Sequence, residues 1–345
     1  MKHLLFSVFI LTLLASSKLC LAQDLTNPGD YMTAISNAHV EMNKKYLAYM
    51  SAADHVHRKR KIDKMRLQAL ESIDKSLSAT SELPYYKGDN SLRKSSIDYI
   101  KICNSVFNED YSKIVNMEEI AEQSYDMMQA YILLQEKTDE RIKLANEQVN
   151  NAQKAFAAKY NVNLIDTKDE LEEKLNEAGN LNVYRNKLFL IFFKCNWQDG
   201  EIVKAMNSGK ITTVEQGRTS LIRYADEGLK ALDTLKSFAG DPSLAGSCKR
   251  VLNFYKKMAE NDIPKQMDYF LKNENFEKMK KAFDAKGNPT KAEVEAFNAA
   301  VNEVNNSSHT FNDINNRVNS SRTEVLNDWN EAEKVFADTH MPYYK

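Results

Sequence analysis

The chain has 345 residues, 47 basic against 48 acidic, and a formal net charge of −1, so its surface offers no electrostatic reason to hold nucleic acid or anionic lipid. Hydrophobic residues make up 43% and charged residues 28% of a sequence long enough for two domains that each bury a core. The 10 glycines and 6 prolines sit in clusters, so they punctuate helices rather than run through the chain.

Met1-Lys2-His3 precedes an apolar run from Leu4 to Ala15, and Leu21-Ala22-Gln23 follows. Basic end, apolar core and small residues at the cut are the order of a secretory signal peptide over 1–22. The apolar core, about a dozen residues, is shorter than the roughly 20 that span a bilayer, so no transmembrane anchor is expected after cleavage. Cys20 suggests a lipoprotein, but Lys18 and Leu19 stand where that signal needs small residues, and cleavage after Ala22 fits better. Cleavage removes Lys2 and Lys18 and no acidic residue, which keeps the surface near neutrality.

From Tyr31 the apolar residues recur in steps of three and four: Ile35, Ala38, Met42, Tyr46, Tyr49, Ala53. That period predicts a long amphipathic helix. Similar stripes run through Met65, Ala69, Ile73 and Leu77, then Ile97, Ile100, Val106 and Phe107, then from about Ile120 to Tyr160. Between the first two, His55-Val56-His57-Arg58-Lys59-Arg60-Lys61 is a strongly basic run at the expected helix junction. It reads as a solvated junction or, more sharply, as an anionic docking patch of Arg58, Lys59, Arg60 and Lys61 for a surface such as a phosphorylated glycolipid.

The segment Pro84 to Leu92, with Gly88-Asp89-Asn90-Ser91-Leu92, returns as Lys236 to Leu244, with Gly240-Asp241-Pro242-Ser243-Leu244. The shift is 152, from Gly88 to Gly240, and Asp74, Leu77 and Leu83 recur as Asp226, Leu229 and Leu235. Glycine suits a sharp turn, and Asp89 or Ser91, like Asp241 or Ser243, can accept hydrogen bonds from the first amides of the next helix. Ala152 to Ala157 matches Ala332 to Ala337 at a shift of 180, from Phe156 to Phe336, so the second copy carries an insertion near 264–295. Gly287-Asn288-Pro289-Thr290 there reads as a turn and a helix start.

These features predict an all-α chain of two tandem four-helix-bundle-like repeats, 23–165 and 181–345, joined by a charged linker, 166–180, read as a short exposed helix. The mature chain keeps Cys103, Cys195 and Cys248, an odd number at no metal-like spacing, which suits buried, inert thiols.

The second repeat opens Tyr184-Arg185-Asn186-Lys187-Leu188-Phe189-Leu190-Ile191-Phe192-Phe193-Lys194-Cys195-Asn196-Trp197. Together with the export signal, this stretch resembles a family of secreted or surface helical proteins of unknown function found in Bacteroidetes and in spirochaetes such as Leptospira. The resemblance implies a place in the envelope of a didermic bacterium, periplasmic or outward-facing, and carries no functional residues with it.

Leu188 to Phe193 is apolar around the whole helix, which suits a central buried helix. Its functional counterpart is an apolar pocket or an inter-bundle contact formed by Phe189, Phe192, Phe193 and Trp197. The histidines do not fall at the three- or four-residue spacing that places two metal ligands on one helix face, so no metal or cofactor is expected. No nucleophile elbow, phosphate loop, zinc helix or nucleotide fingerprint occurs. The chain is therefore expected to be a non-enzymatic exported protein that binds or scaffolds an unknown protein or envelope component. The alternative is an enzyme or metal-binding protein with a site assembled between the two bundles.

Overall fold

The computed structural model describes residues 25–55, 58–110, 121–164 and 170–344, and the expected signal peptide lies outside them. Within these residues the chain is all-α: α1 (Pro28–His55), α2 (Lys59–Glu82), α3 (Ser91–Ser105), α4 (Tyr125–Lys159), α5 (Glu170–Asn207), α6 (Ile211–Thr234), α7 (Ser243–Lys257), α8 (Ile263–Asp284) and α9 (Lys291–His340). None of these helices is long and apolar enough to cross a membrane.

Local chemistry sets the helix ends. Ser124 accepts the Met127 amide at the start of α4, and Thr290 and Glu293 form a reciprocal capping box at the start of α9. Helices α3 and α7 each run into a short π-helical turn, Val106–Asp110 and Met258–Asp262, and α8 follows the second directly.

The turns before α3 and α7 share one backbone geometry. Tyr86 pairs with Asp89 and Phe238 with Asp241 in single antiparallel bridges. Lys87 and Gly88 have φ of 48° and 83°, Ala239 and Gly240 φ of 49° and 82°. Two successive left-handed residues make the turn tight, and glycine at the second avoids the Cβ clash. Asp89 accepts the Ser91 amide at 2.8 Å and Asp241 the Ser243 amide at 2.8 Å, so the aspartates, not the serines, hold the helix starts.

Each turn is gripped by the end of a later helix. The Asp89 carboxylate takes Lys159 Nζ at 2.7 Å and the Tyr160 hydroxyl at 3.1 Å, and Asp241 meets His340 Nε2 at 2.9 Å. The Lys159 ammonium holds the Asp89 carboxyl well below the usual carboxylate range. Above these contacts Tyr31, Tyr86 and Phe156 form one aromatic nest and Tyr184, Phe238 and Phe336 another, with neighbouring ring centroids 5.3–6.2 Å apart.

The cores differ. Around α5 to α7 and α9 one continuous cluster contains Leu188, Leu221, Leu244, Leu252, Trp329 and Phe336, whereas the core of α1 to α4 is split. One part centres on Met42, Ile73, Ile100 and Val149, the other on Tyr31, Ile35, Leu92 and Phe156.

The charged segment expected as a linker helix enters α5, which runs unbroken from Glu170 to Asn207. Ala178 and Leu181 are fully buried, because this face packs on the rest of the molecule and is not left to solvent. Across the junction, Arg185 on α5 donates to Asp54 on α1 at 3.0 and 3.1 Å and to Glu333 on α9 at 2.7 Å. His55 contacts Asp338 and the Met341 carbonyl, and Leu47, Met128 and Ile132 join the larger core.

The region read as an insertion forms α8 and the start of α9. In α8 only Ile263 and Gln266 are buried; beyond them a seam of Phe276, Phe283 and Phe297 holds the two helices together.

Among the described residues Cys103, Cys195 and Cys248 are free and buried. Burial pushes the Cys103 and Cys195 thiols up to about 12, which leaves them inert at neutral pH.

Candidate functional site

A cleft of about 570 Å³ opens between α1, α4 and the first turns of α5, with Tyr99 of α3 behind it. This is the size of a small-molecule or short-peptide site.

Its existence follows from side-chain size. On α1 the wall is Ser36, His39 and Val40; on α4 it includes Val149. Counting 153 onward from Tyr31 to Tyr184, the corresponding α5 residues are Phe189, Phe192 and Phe193; counting 180 from Phe156 to Phe336, Val149 corresponds to Trp329. Phe192 and Trp329 stack with centroids 4.6 Å apart, and Phe189 stacks on Phe193 at 5.7 Å. Where the later helices put four aromatic rings, the earlier ones put a serine, a histidine and two valines. The space the rings would fill is left open.

His39 is 8% exposed, shares a 2.5 Å hydrogen bond with the Ser96 hydroxyl through Nε2, and meets the Tyr99 ring edge-on at 5.3 Å. Burial pushes its imidazole down to about 4, so it is neutral at physiological pH.

The lining is mixed and uneven. At one end α4 presents Glu136, Asp139 and Glu140, and Lys143 is the single cation of the lining. Glu172 of α5 lies nearer Tyr99. Asp139 is open to water along the cleft yet closely surrounded by protein, and this crowding, with Glu136 nearby, raises its carboxyl to about 6. Burial, and then the Asp139 charge, raise the Tyr46 phenol. At the other end of the α4 wall stand the amides of Asn146, Asn150 and Gln153, and α5 adds those of Asn176 and Asn180 to the lining.

Among the described residues, no three or more His, Cys, Asp or Glu side chains gather where they could hold a metal ion. The arrangement can desolvate part of a ligand, accept hydrogen bonds from a cation at the acidic end, and both donate and accept along the amides.

The residues singled out by sequence lie elsewhere. Phe189, Phe192 and Phe193 are packed on neighbouring rings and do not range around a ligand pocket, because Trp329 fills the space beside them. Trp197 is half-buried and donates its indole N–H to the Gln123 carbonyl at 3.1 Å, reaching from α5 to the chain before α4. Arg58 directly precedes α2 and is exposed, as are Arg60 and Lys61, while the side chain of Lys59 lies outside the described residues.

Sequence reading weighed His39 only as a metal ligand and passed over the α4 amides. The signal was the spacing Asn146, Asn150, Gln153, a polar row one helix face wide. It also missed a buried pair: Arg322 holds Asp199 at 2.7 and 3.0 Å, where Ile142 and Tyr46 are the counterparts at the same shifts and line the cleft.

Comparison with known proteins finds no matching family model, no matching curated protein and no matching solved structure.

Proposed function

We propose that this is an exported, non-enzymatic binding protein built on a duplicated helical frame, with the cleft of the first half as its binding site and the filled second half as its support. The carrying observation is the cleft itself: an open groove of mixed lining at the position that corresponds, by the repeat, to the stacked Phe192 and Trp329 of the second half. The duplication is supported by the matched turns at Gly88 and Gly240, the matched π-helical turns and the matched clamps on Asp89 and Asp241. Export to the periplasm or outer surface of a Gram-negative bacterium rests on the signal over 1–22, and the family resemblance adds to it. The partner is an envelope component or an exported molecule; Arg58, Lys59, Arg60 and Lys61 offer a second, anionic docking surface.

A thermal-shift survey with neutral oligosaccharides, amines, carboxylates and short peptides tests the reading. One class raises the melting temperature by a few degrees, the size expected for a ligand at about 100 times its Kd. His39→Phe with Val149→Trp, which rebuilds the aromatic filling, removes the rise. No shift with any class, or a shift that survives the filling, contradicts it. Cell fractionation adds a second arm: a chain beginning at Gln23 outside the cytoplasm is expected, and an uncleaved cytoplasmic chain is not.

A second reading has one observation in its favour. Asp139, raised to about 6 in the same cleft as Tyr46, has the ionisation of a general acid–base group.

A further inference from the structure

The two ends of the cleft ask for different chemistry from one ligand. Glu136, Asp139 and Glu140 lie three and four residues apart on one face of α4, where like charges repel. None of them has a cation partner among the described residues, whereas outer helices pair such acids at four-residue spacing, as in Glu71–Lys75 and Glu274–Lys278. The acidic end is thus short of positive charge, and Lys143 is the one cation in the lining.

The other end is short of hydrogen-bond partners. Asn146, Asn150 and Gln153 are half-buried, and their amides make no hydrogen bond with the protein among the described residues. A side-chain amide both donates and accepts. Polyamines only donate, so they would leave the amide N–H groups unused; neutral sugars would leave the carboxylates uncompensated. A peptide backbone offers one N–H and one C=O per residue.

The spacing agrees. Four residues of helix advance about 6 Å, close to the roughly 6.6 Å that two residues of an extended chain advance. Asn146 and Asn150, one such step apart, therefore meet successive backbone groups on one edge of an extended peptide. From Glu136 to Gln153 the wall is about 25 Å long, which suits a linear ligand.

We propose that the cleft binds a short extended peptide, its basic side chain or free amino terminus at Glu136, Asp139 and Glu140, and its backbone on the amide row of α4. This rests on the cleft being the binding site, and it names the ligand class.

Isothermal titration of the purified protein with the tetrapeptide Lys-Ala-Ala-Ala, which carries both amino groups at one end, tests it at low salt. One-to-one binding is expected. Asp139→Asn should weaken it about tenfold, the size of one charge-assisted hydrogen bond, and added salt should weaken it further. Asn150→Ala should weaken it severalfold without changing the salt dependence. Equal affinity for spermidine, or affinity unchanged by Asn150→Ala, overturns the backbone recognition. Binding of maltotetraose instead of the peptide overturns the ligand class and leaves the cleft as a binding site. No binding of the peptide, spermidine or maltotetraose overturns both. Circular dichroism of each variant, both of them polar and cleft-facing, separates lost binding from lost fold.

Discussion

Trp329 lies against Phe192 at an interplanar angle of 17°, and the pair occupies the positions that Val149 and His39 hold in the earlier helices. The difference decides whether the space beside α1 or α5 is core or cleft. A wild-type chain with a split core in its first half forgoes apolar burial that the second half gains. His39→Phe with Val149→Trp is therefore expected to raise the unfolding free energy by about 2 kcal/mol, from added aromatic burial and stacking. Urea titration measures it, and a fall of more than about 1 kcal/mol would show that the space cannot take the rings.

The cleft also predicts two opposed pH dependences. Asp139 titrates near 6 in the folded chain and near 4 when unfolded, so between these values the folded state holds more protons and stability falls as pH rises. His39 is lowered to about 4 against about 6.5 unfolded, so across that range the unfolded state holds more protons and stability rises with pH. Asp139→Asn should leave a profile that climbs more steeply from pH 4 to 6.5, and His39→Gln one that climbs less or declines. Urea midpoints across that range check both, and parallel profiles for wild type and variants would refute the assignment.

Arg185 ties three helices together. Its side chain is 19% exposed and holds Asp54 of α1 and Glu333 of α9 at once. Arg185→Ala strands two carboxylates at the junction and should cost about 2–4 kcal/mol. Because Leu47, Met128 and Ile132 share the larger core, the loss should appear as a lower midpoint of one cooperative transition, followed by circular dichroism.

Gly228 marks a close approach of α6 to two neighbours: a Cβ there would stand 2.9 Å from Ile191 and from Leu252. Gly228→Ala gains helix propensity of roughly 1 kcal/mol but overpacks a tight contact, so a net loss of about 1–2 kcal/mol is expected. Gly246→Ala, on α7 with nothing within 4 Å of its Cβ, is the control and should stabilise. Equal effects at both positions would contradict close packing at Gly228.

The helices were legible because their apolar residues recur every three to four positions, and the turns at Gly88 and Gly240 because glycine followed by aspartate has few other uses. The cleft was not. His39, Asn146 and Glu172 are far apart in sequence, and each alone reads as an ordinary helix residue. Only the register of α1 against α4 and α5 brings them to one groove. In the linker, alternating charge suggested a solvated helix; residues 170–177 are exposed or half-buried helix, and Ala178 begins the buried face of α5. Setting Ser36, His39 and Val40 beside Phe189, Phe192 and Phe193 would have shown the missing volume, since that comparison needs only the repeat.

A crystal structure of the protein grown with Lys-Ala-Ala-Ala tests the central claim most directly. The account predicts extended peptide density along α4, its amino groups near Asp139 and its backbone beside Asn146 and Asn150, with Phe192 and Trp329 still stacked and no ligand against them. Peptide bound only outside this groove, or a groove closed by α5 against α1, would contradict it.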